Sequence, residues 1–184
     1  MDKIKKYLEK NIIVYCGKHY SLLPLALHAM NKIDEIFAFN QPLLPDEIVQ
    51  QDSIDGRDIF NIYSIPKVLL KEIKEQYPQA KICHQATVFI AETLKKTDIE
   101  KQIFIDVYPD FFYANITQND KLLFSNAFAY GNIEEFIYFV LNIFDKFDLN
   151  QLETKLTISG EINKKDKKIA ILKDYIKHIE LLNH

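Results

Sequence analysis

Two hydrophobic periods alternate along this chain, and each change from one to the other marks the edge of an element. Apolar residues at every second position, or runs of β-branched and aromatic types, predict strands; three- and four-residue spacing predicts helices. In the first half the predicted strands are NIIVYC (11–16), EIFAF (35–39), EIVQQDSI (47–54), RDIFNIYS (57–64) and AKICH (80–84). Residues 2–10 read as the end of a charged helix, and Leu25, Leu27, His28 and Met30 give a loose helical stripe after Pro24. Pro66 opens a helix to about Gln76, with Val68, Leu69, Ile73 and Tyr77 on one face, and Pro78 stops it. Another helix covers 85–96 and ends on lysines, the charge its dipole favours there. Asp55-Gly56 predicts a tight hairpin, since a type I′ turn needs positive φ at both central positions.

The second half reads as strands 102–108, 111–118 and 121–129, helix 132–147, strand 155–159, helix 165–175 and a last strand at 177–182. A tight turn at Asn119-Asp120 joins the second and third of these strands. Asn132, with Glu135 three residues on, forms a capping-box pattern at the start of the long helix. That helix carries Phe136, Ile137, Phe139, Val140, Leu141, Ile143, Phe144 and Phe147. It is apolar round most of its circumference and must be covered on two sides. Three strands, helix, strand, helix thus occurs at 35–96 and again at 102–175, a symmetry of architecture without sequence identity. No Gly/Ser linker separates the halves; the seam is placed at 97–101.

Composition narrows the class. With 48% hydrophobic and 27% charged residues over 184 positions, the chain is globular rather than disordered. The net charge of −3 contains no basic block, and Arg57 is the only arginine. Little of the forked guanidinium chemistry that reads phosphate or guanine is present, so no nucleic-acid partner is expected. Cys16 and Cys83 lie far apart without metal-ligand spacing, which fits a reducing, intracellular setting. The N-terminal residues contain no signal-peptide apolar stretch, and Asn142 and Asp145 interrupt the most apolar window, 136–147. The expectation is a cytoplasmic chain without a transmembrane segment.

Chemistry is sparse. The sequence has no P-loop, dinucleotide, esterase-elbow or zincin motif, and its four glycines (Gly17, Gly56, Gly131 and Gly160) stand singly. Close backbone approach to phosphate uses clustered glycines. Cys83 and His84 are adjacent on a strand, so they point to opposite faces and form no dyad; the pair reads as a buried cysteine beside a strand-end histidine. His19, His28, His178 and His184 show no metal spacing. Asp52, Asp55 and Asp58 read as a solvated turn, and KKDKK (164–168) as a solvated helix start. Asp106, acidic within the apolar strand IFIDVY, admits two readings: a strand-end ligand for a metal-bound water or nucleotide, or a cap on the Pro109-Asp110 turn. No catalytic residue, metal or cofactor is expected.

The segments NIIVYCGKHYSLLP, FNIYSIPKVLLKEIKEQYPQAKICH and KLLFSNAFAYGNIEEFIYFVLNIFDKFDLNQLETKLTISGEI resemble a bacterial family, the domain of unknown function 3822, grouped with the actin-like ATPase superfamily. The resemblance covers most of the chain, and LLFSNAFAY…EEFIYFVL…LTISGEI is its most specific block. It implies an α/β, actin-like ATPase (ribonuclease-H-like) fold with two lobes and mixed sheets flanked by helices. Residues 1–100 would be a partial first lobe with an inserted subdomain at about 35–77, and 101–184 the second lobe. Longer family members extend beyond this chain at both ends, and the first phosphate loop would lie outside it. The second phosphate loop would begin at Asp106, where active relatives place an acidic residue before a glycine and a hydroxyl residue. Here Val107-Tyr108-Pro109-Asp110 follows instead. The adenosine-contacting turn would fall at Ser159-Gly160-Glu161, with one glycine instead of two. Asp106 and Gly160 are therefore expected to be remnants of a nucleotide site. The implied function is a non-catalytic scaffold with a protein partner; the alternatives are a weak ATP-handling enzyme or an adaptor of a pilus- or secretion-type assembly.

Overall fold

The computed structural model of this chain describes residues 3–7, 12–28, 30, 32–54, 56–96 and 98–182, with the backbone alone for 3–7. They form two compact units, Met1–Ala91 and Glu92–His184.

In the first unit, β1 (Lys3–Tyr7), β2 (Ile12–Cys16) and β6 (Lys81–His84) form one sheet in the order β1-β2-β6. β1 is antiparallel to β2 and β6 parallel to it. Pairing with β2 overrides the predicted charged helix over 3–7, a correction; the remainder of that helix, 8–10, lies outside the described residues. A second sheet is antiparallel, in the order β3 (Tyr20–Pro24), β5 (Ile59–Pro66), β4 (Glu47–Ser53). Among the described residues four helices accompany them: α1 (Leu25–His28), α2 (Ile33–Asn40), α3 (Lys67–Gln76) and α4 (Gln85–Leu94), the last running on into the second unit. α2 replaces the strand predicted at 35–39. Phe39, which created the impression of alternation, is 91% exposed, whereas Ile33, Ile36 and Phe37 sit at helical spacing and pack with Leu23, Val49 and Ile62. Gly56 takes φ +71 in the predicted hairpin; its neighbour Asp55 lies outside the described residues.

In the second unit, five strands are joined in the order β11-β10-β7-β8-β9. They are β7 (Gln102–Val107), β8 (Phe111–Gln118), β9 (Lys121–Ala129), β10 (Leu156–Gly160) and β11 (Ile179–Leu181). β7-β8-β9 is an antiparallel meander, whose second turn holds Asn119 and Asp120 at φ 50 and 60. β10 returns parallel to β7 after α5 (Ile133–Lys146), and β11 parallel to β10 after α6 (Lys167–Leu172). The face bearing Ile103, Ile105, Phe112, Ala114, Ile116 and Ile158 packs against Phe136, Val140, Ile143 and Phe144 of α5 and Ile169 and Leu172 of α6. Each large apolar side chain fully buried there contributes about 1.5–3 kcal/mol. α6 packs beside α5, giving the second cover its composition requires, and leaves Tyr138 63% exposed. Asn132 Oδ1 accepts the Glu135 amide at 2.8 Å, and Glu135 Oε2 reaches back to the amide of Gly131 at 2.7 Å. The cap is thus one residue wider than the usual box.

Candidate functional site

Asp106 and Gly160 come together because β7 and β10 run parallel in one register, Ser159 opposite Asp106 and Gly160 opposite Val107. Asp106 is 4% exposed. Its Oδ1 accepts the Ser159 hydroxyl at 2.7 Å and its Oδ2 the Tyr108 hydroxyl at 2.8 Å. Residues two apart on a strand share a face, which aims Tyr108 back over the carboxylate. The Tyr108 ring stacks on Phe111 (centroids 4.8 Å apart) and meets the edge of Tyr113. The carboxylate thus bonds a side chain of β10 and that of the residue opening the Pro109-Asp110 turn.

The backbone round this carboxylate is also engaged. The Tyr108 amide donates to Phe111 O at 2.8 Å, closing a turn in which Pro109 has no N–H to offer. The Tyr130 hydroxyl donates to Tyr108 O and the Tyr130 amide to Asp110 O. The Glu161 amide donates to Val107 O at 2.7 Å. Gly160 has φ +94, and a Cβ there would stand 2.2 Å from Val107 O and 2.6 Å from Val107 N. The glycine serves strand-on-strand approach. Burial first, then Asp166, Asp110 and Glu161, push the Tyr130 hydroxyl up to about 12, so three carboxylates act on this end of the sheet. Lys168 lies 3.5 Å from Asp166 and over the Tyr130 and Phe136 rings.

A second polar cluster lies in the first unit, and sequence reading missed it. Asp52 is buried in β4 rather than in a solvated turn, a correction to the sequence expectation. Its Oδ2 accepts the His84 amide at 2.7 Å and the Thr87 hydroxyl at 2.8 Å. The Asn61 side-chain amide donates to Thr87 Oγ1 at 2.9 Å, and His84 Nδ1 accepts the Ala86 amide at 3.1 Å. The buried member of the Cys83-His84 pair is the histidine, fully enclosed against Tyr15, Tyr20 and Tyr63. Burial lowers its pKa to about 3, against a weaker opposing bond with the Gly17 backbone. Burial raises the Cys83 thiol to about 12, reinforced by the Asp52 charge, and burial also raises Asp52. A protonated thiol and a neutral, enclosed imidazole suit neither nucleophilic nor acid–base work. The cluster instead ties β4 and β5 to the start of α4. One or two residues from each of six elements compose it, too dispersed in sequence for any spacing to show. Among the described residues no group of three or more His, Cys, Asp or Glu could hold a metal ion, and no helix is long and apolar enough to cross a membrane.

A family model described as protein of unknown function (DUF3822) matches residues 2–179. No curated protein matches the chain. Among solved structures, a Bacteroides thetaiotaomicron protein with actin-like ATPase fold and unknown function superposes with TM-score 0.84 at 24% identity, over 92% of this chain and 67% of that one. A PilM-PilN type IV pilus biogenesis complex gives TM-score 0.59 at 10% identity, over 92% of this chain and 68% of that one. The fold is that of the actin-like ATPases. A nucleotide phosphate, which that fold name implies and the sequence reading expected at the β7–β8 hairpin, needs free amides and open space. The Tyr108 ring, the engaged Tyr108 and Glu161 amides and the surrounding carboxylates do not fit one.

Proposed function

The chain belongs to the DUF3822 family, and from that membership we propose a non-catalytic scaffold or protein-interaction module built on a degenerate actin-like fold. The observation that carries the reading is the Tyr108 hydroxyl on Asp106 at 2.8 Å; in this reading the chain's own side chain stands where the fold would receive phosphate. In this reading Asp106 and Gly160 are remnants of a nucleotide site kept for packing. Residues 101–184 are the second ribonuclease-H-like lobe, and 1–100 a partial first lobe carrying an inserted subdomain at about 35–77. The setting is the cytoplasm and the partner a protein. Thermal-shift titration with Mg-ATP tests it: the melting temperature stays constant to millimolar nucleotide. A saturable rise at micromolar nucleotide contradicts the reading, because a ligand bound only by the folded chain must stabilise it.

The likeness to the PilM-PilN complex favours a narrower version, an adaptor docking on a multiprotein assembly. Co-purification of the tagged chain from its source cells tests that version: components of one membrane-associated machine are expected, and their absence contradicts it. A weak ATP-handling enzyme would instead show a hydrolysis rate that Asp106→Asn abolishes.

A further inference from the structure

Among the described residues β4 forms an edge of its sheet, paired on one side only. The Ile54 amide donates to Ile59 O at 3.1 Å and the Lys67 amide to Asp46 O at 2.8 Å. These bonds fix the even-numbered positions along β4 as those bonded to β5. By the alternation of an antiparallel ladder, Glu47, Val49, Gln51 and Ser53 turn their backbone groups outward. Leu44 O takes the Glu47 amide, and the Gln50 side chain takes Val49 O. The amide of Val49 and both backbone groups of Gln51 face the open edge.

Beside that edge lies a groove of about 390 Å³ between Ile48 and α3. Its floor is apolar, made by buried Leu70 and by Ile48, which is 39% exposed. Its rim carries Lys67, Lys71 and Lys74 against Glu75 alone. Lys67 Nζ donates to Pro45 O. Lys71 meets Glu75 at 3.8 Å with both side chains mostly exposed, a pairing worth little in water. The rim therefore keeps an excess of positive charge beside unpaired strand groups.

We propose that this edge binds an extended acidic segment of a partner protein, added as a further strand to β4. An apolar side chain of the segment enters the groove, and carboxylates two residues to either side, on the same face, meet the lysines. Main-chain bonds to β4 supply affinity, the groove supplies selectivity, and the charge steers encounter and register. The proposal rests on the reading of the chain as an interaction module and adds the site and the chemistry of the partner.

Fluorescence anisotropy of the intact chain with labelled nine-residue peptides tests it. The first peptide carries Ile at its fifth position, Glu at its third and seventh, and Thr elsewhere. The second has Lys for both Glu; the third is the first, N-methylated on the alternate amides that would pair with β4. The first binds saturably, the other two at least tenfold more weakly. The exposed double variant Lys71→Glu/Lys74→Glu reverses the preference between the first two. Absence of saturable binding, equal binding of the peptides, or indifference to the double variant overturns the proposal. So does a dimer in sedimentation velocity that the double variant dissociates, since the occupant is then a second copy. Stabilisation by Mg-ATP is scored separately: it contradicts the non-catalytic reading, whereas lost peptide discrimination contradicts only this site.

Discussion

Asp106 is held by two hydroxyls, one on each oxygen, and this pairing sets what Tyr108 contributes. Tyr108→Phe removes one donor from a buried carboxylate, so urea unfolding should show a loss of about 1–3 kcal/mol; an unchanged midpoint means the bond does not form. Gly160→Ala is more severe, combining positive φ with a Cβ driven into the Val107 backbone, and should cost about 3 kcal/mol or more in the same measurement. His84 makes stability depend on pH. Its folded pKa, about 3, lies below the ordinary 6.5, so between these values the unfolded chain binds the extra proton. The stabilisation from neutral His84 is complete above pH 6.5 and falls by about 1.4 kcal/mol per unit as pH drops toward 3. Asp52, with its pKa raised, acts in the opposite sense where it titrates. Relative to His84→Asn, whose side-chain oxygen can still accept the Ala86 amide, the native chain should lose stability over this window; parallel pH curves contradict it. Asp106 and Gly160 were legible in sequence. Asp106 stood out as polarity within an apolar strand and Gly160 through the family resemblance, and Asp106 and Tyr108 lie two residues apart, the spacing their bond uses. The role of His84 was not, because Asn61 and Asp52, which meet it from β5 and β4, lie 23 and 32 residues away.

At the scale of elements, the second unit followed its sequence closely because each strand and helix carries an uninterrupted period and its turns carry their own chemistry. Asn119-Asp120 supplies two positive-φ positions, and Asn132 caps α5. Asn132→Ala should destabilise the chain by about 1 kcal/mol in chemical denaturation, with α5 otherwise intact; no loss means that Glu135 and solvent satisfy the first turn alone. The first unit was read less well for a physical reason. Over 35–39 five apolar-rich residues suit either period, and tertiary packing of Ile33, Ile36 and Phe37 decides for a helix. Strand β3 escaped notice because YSLLP is short, ends in proline and owes its state to pairing with β5.

At the scale of the whole molecule, the fold is that of the actin-like ATPases, and its β7–β8 hairpin carries bulky and acidic residues. Fold and chemistry are separate questions: strand order comes from periodicity and burial, whereas in the proposed reading phosphate binding would need amides such as that of Tyr108, which Phe111 O takes. The groove at β4 shows where such a frame can carry a different recognition task. Equilibrium dialysis of the intact chain against labelled ATP with magnesium tests the account most directly. It predicts no retention above that of an albumin control up to millimolar nucleotide. Stoichiometric, saturable retention at micromolar concentration, abolished by Asp106→Asn, would contradict it.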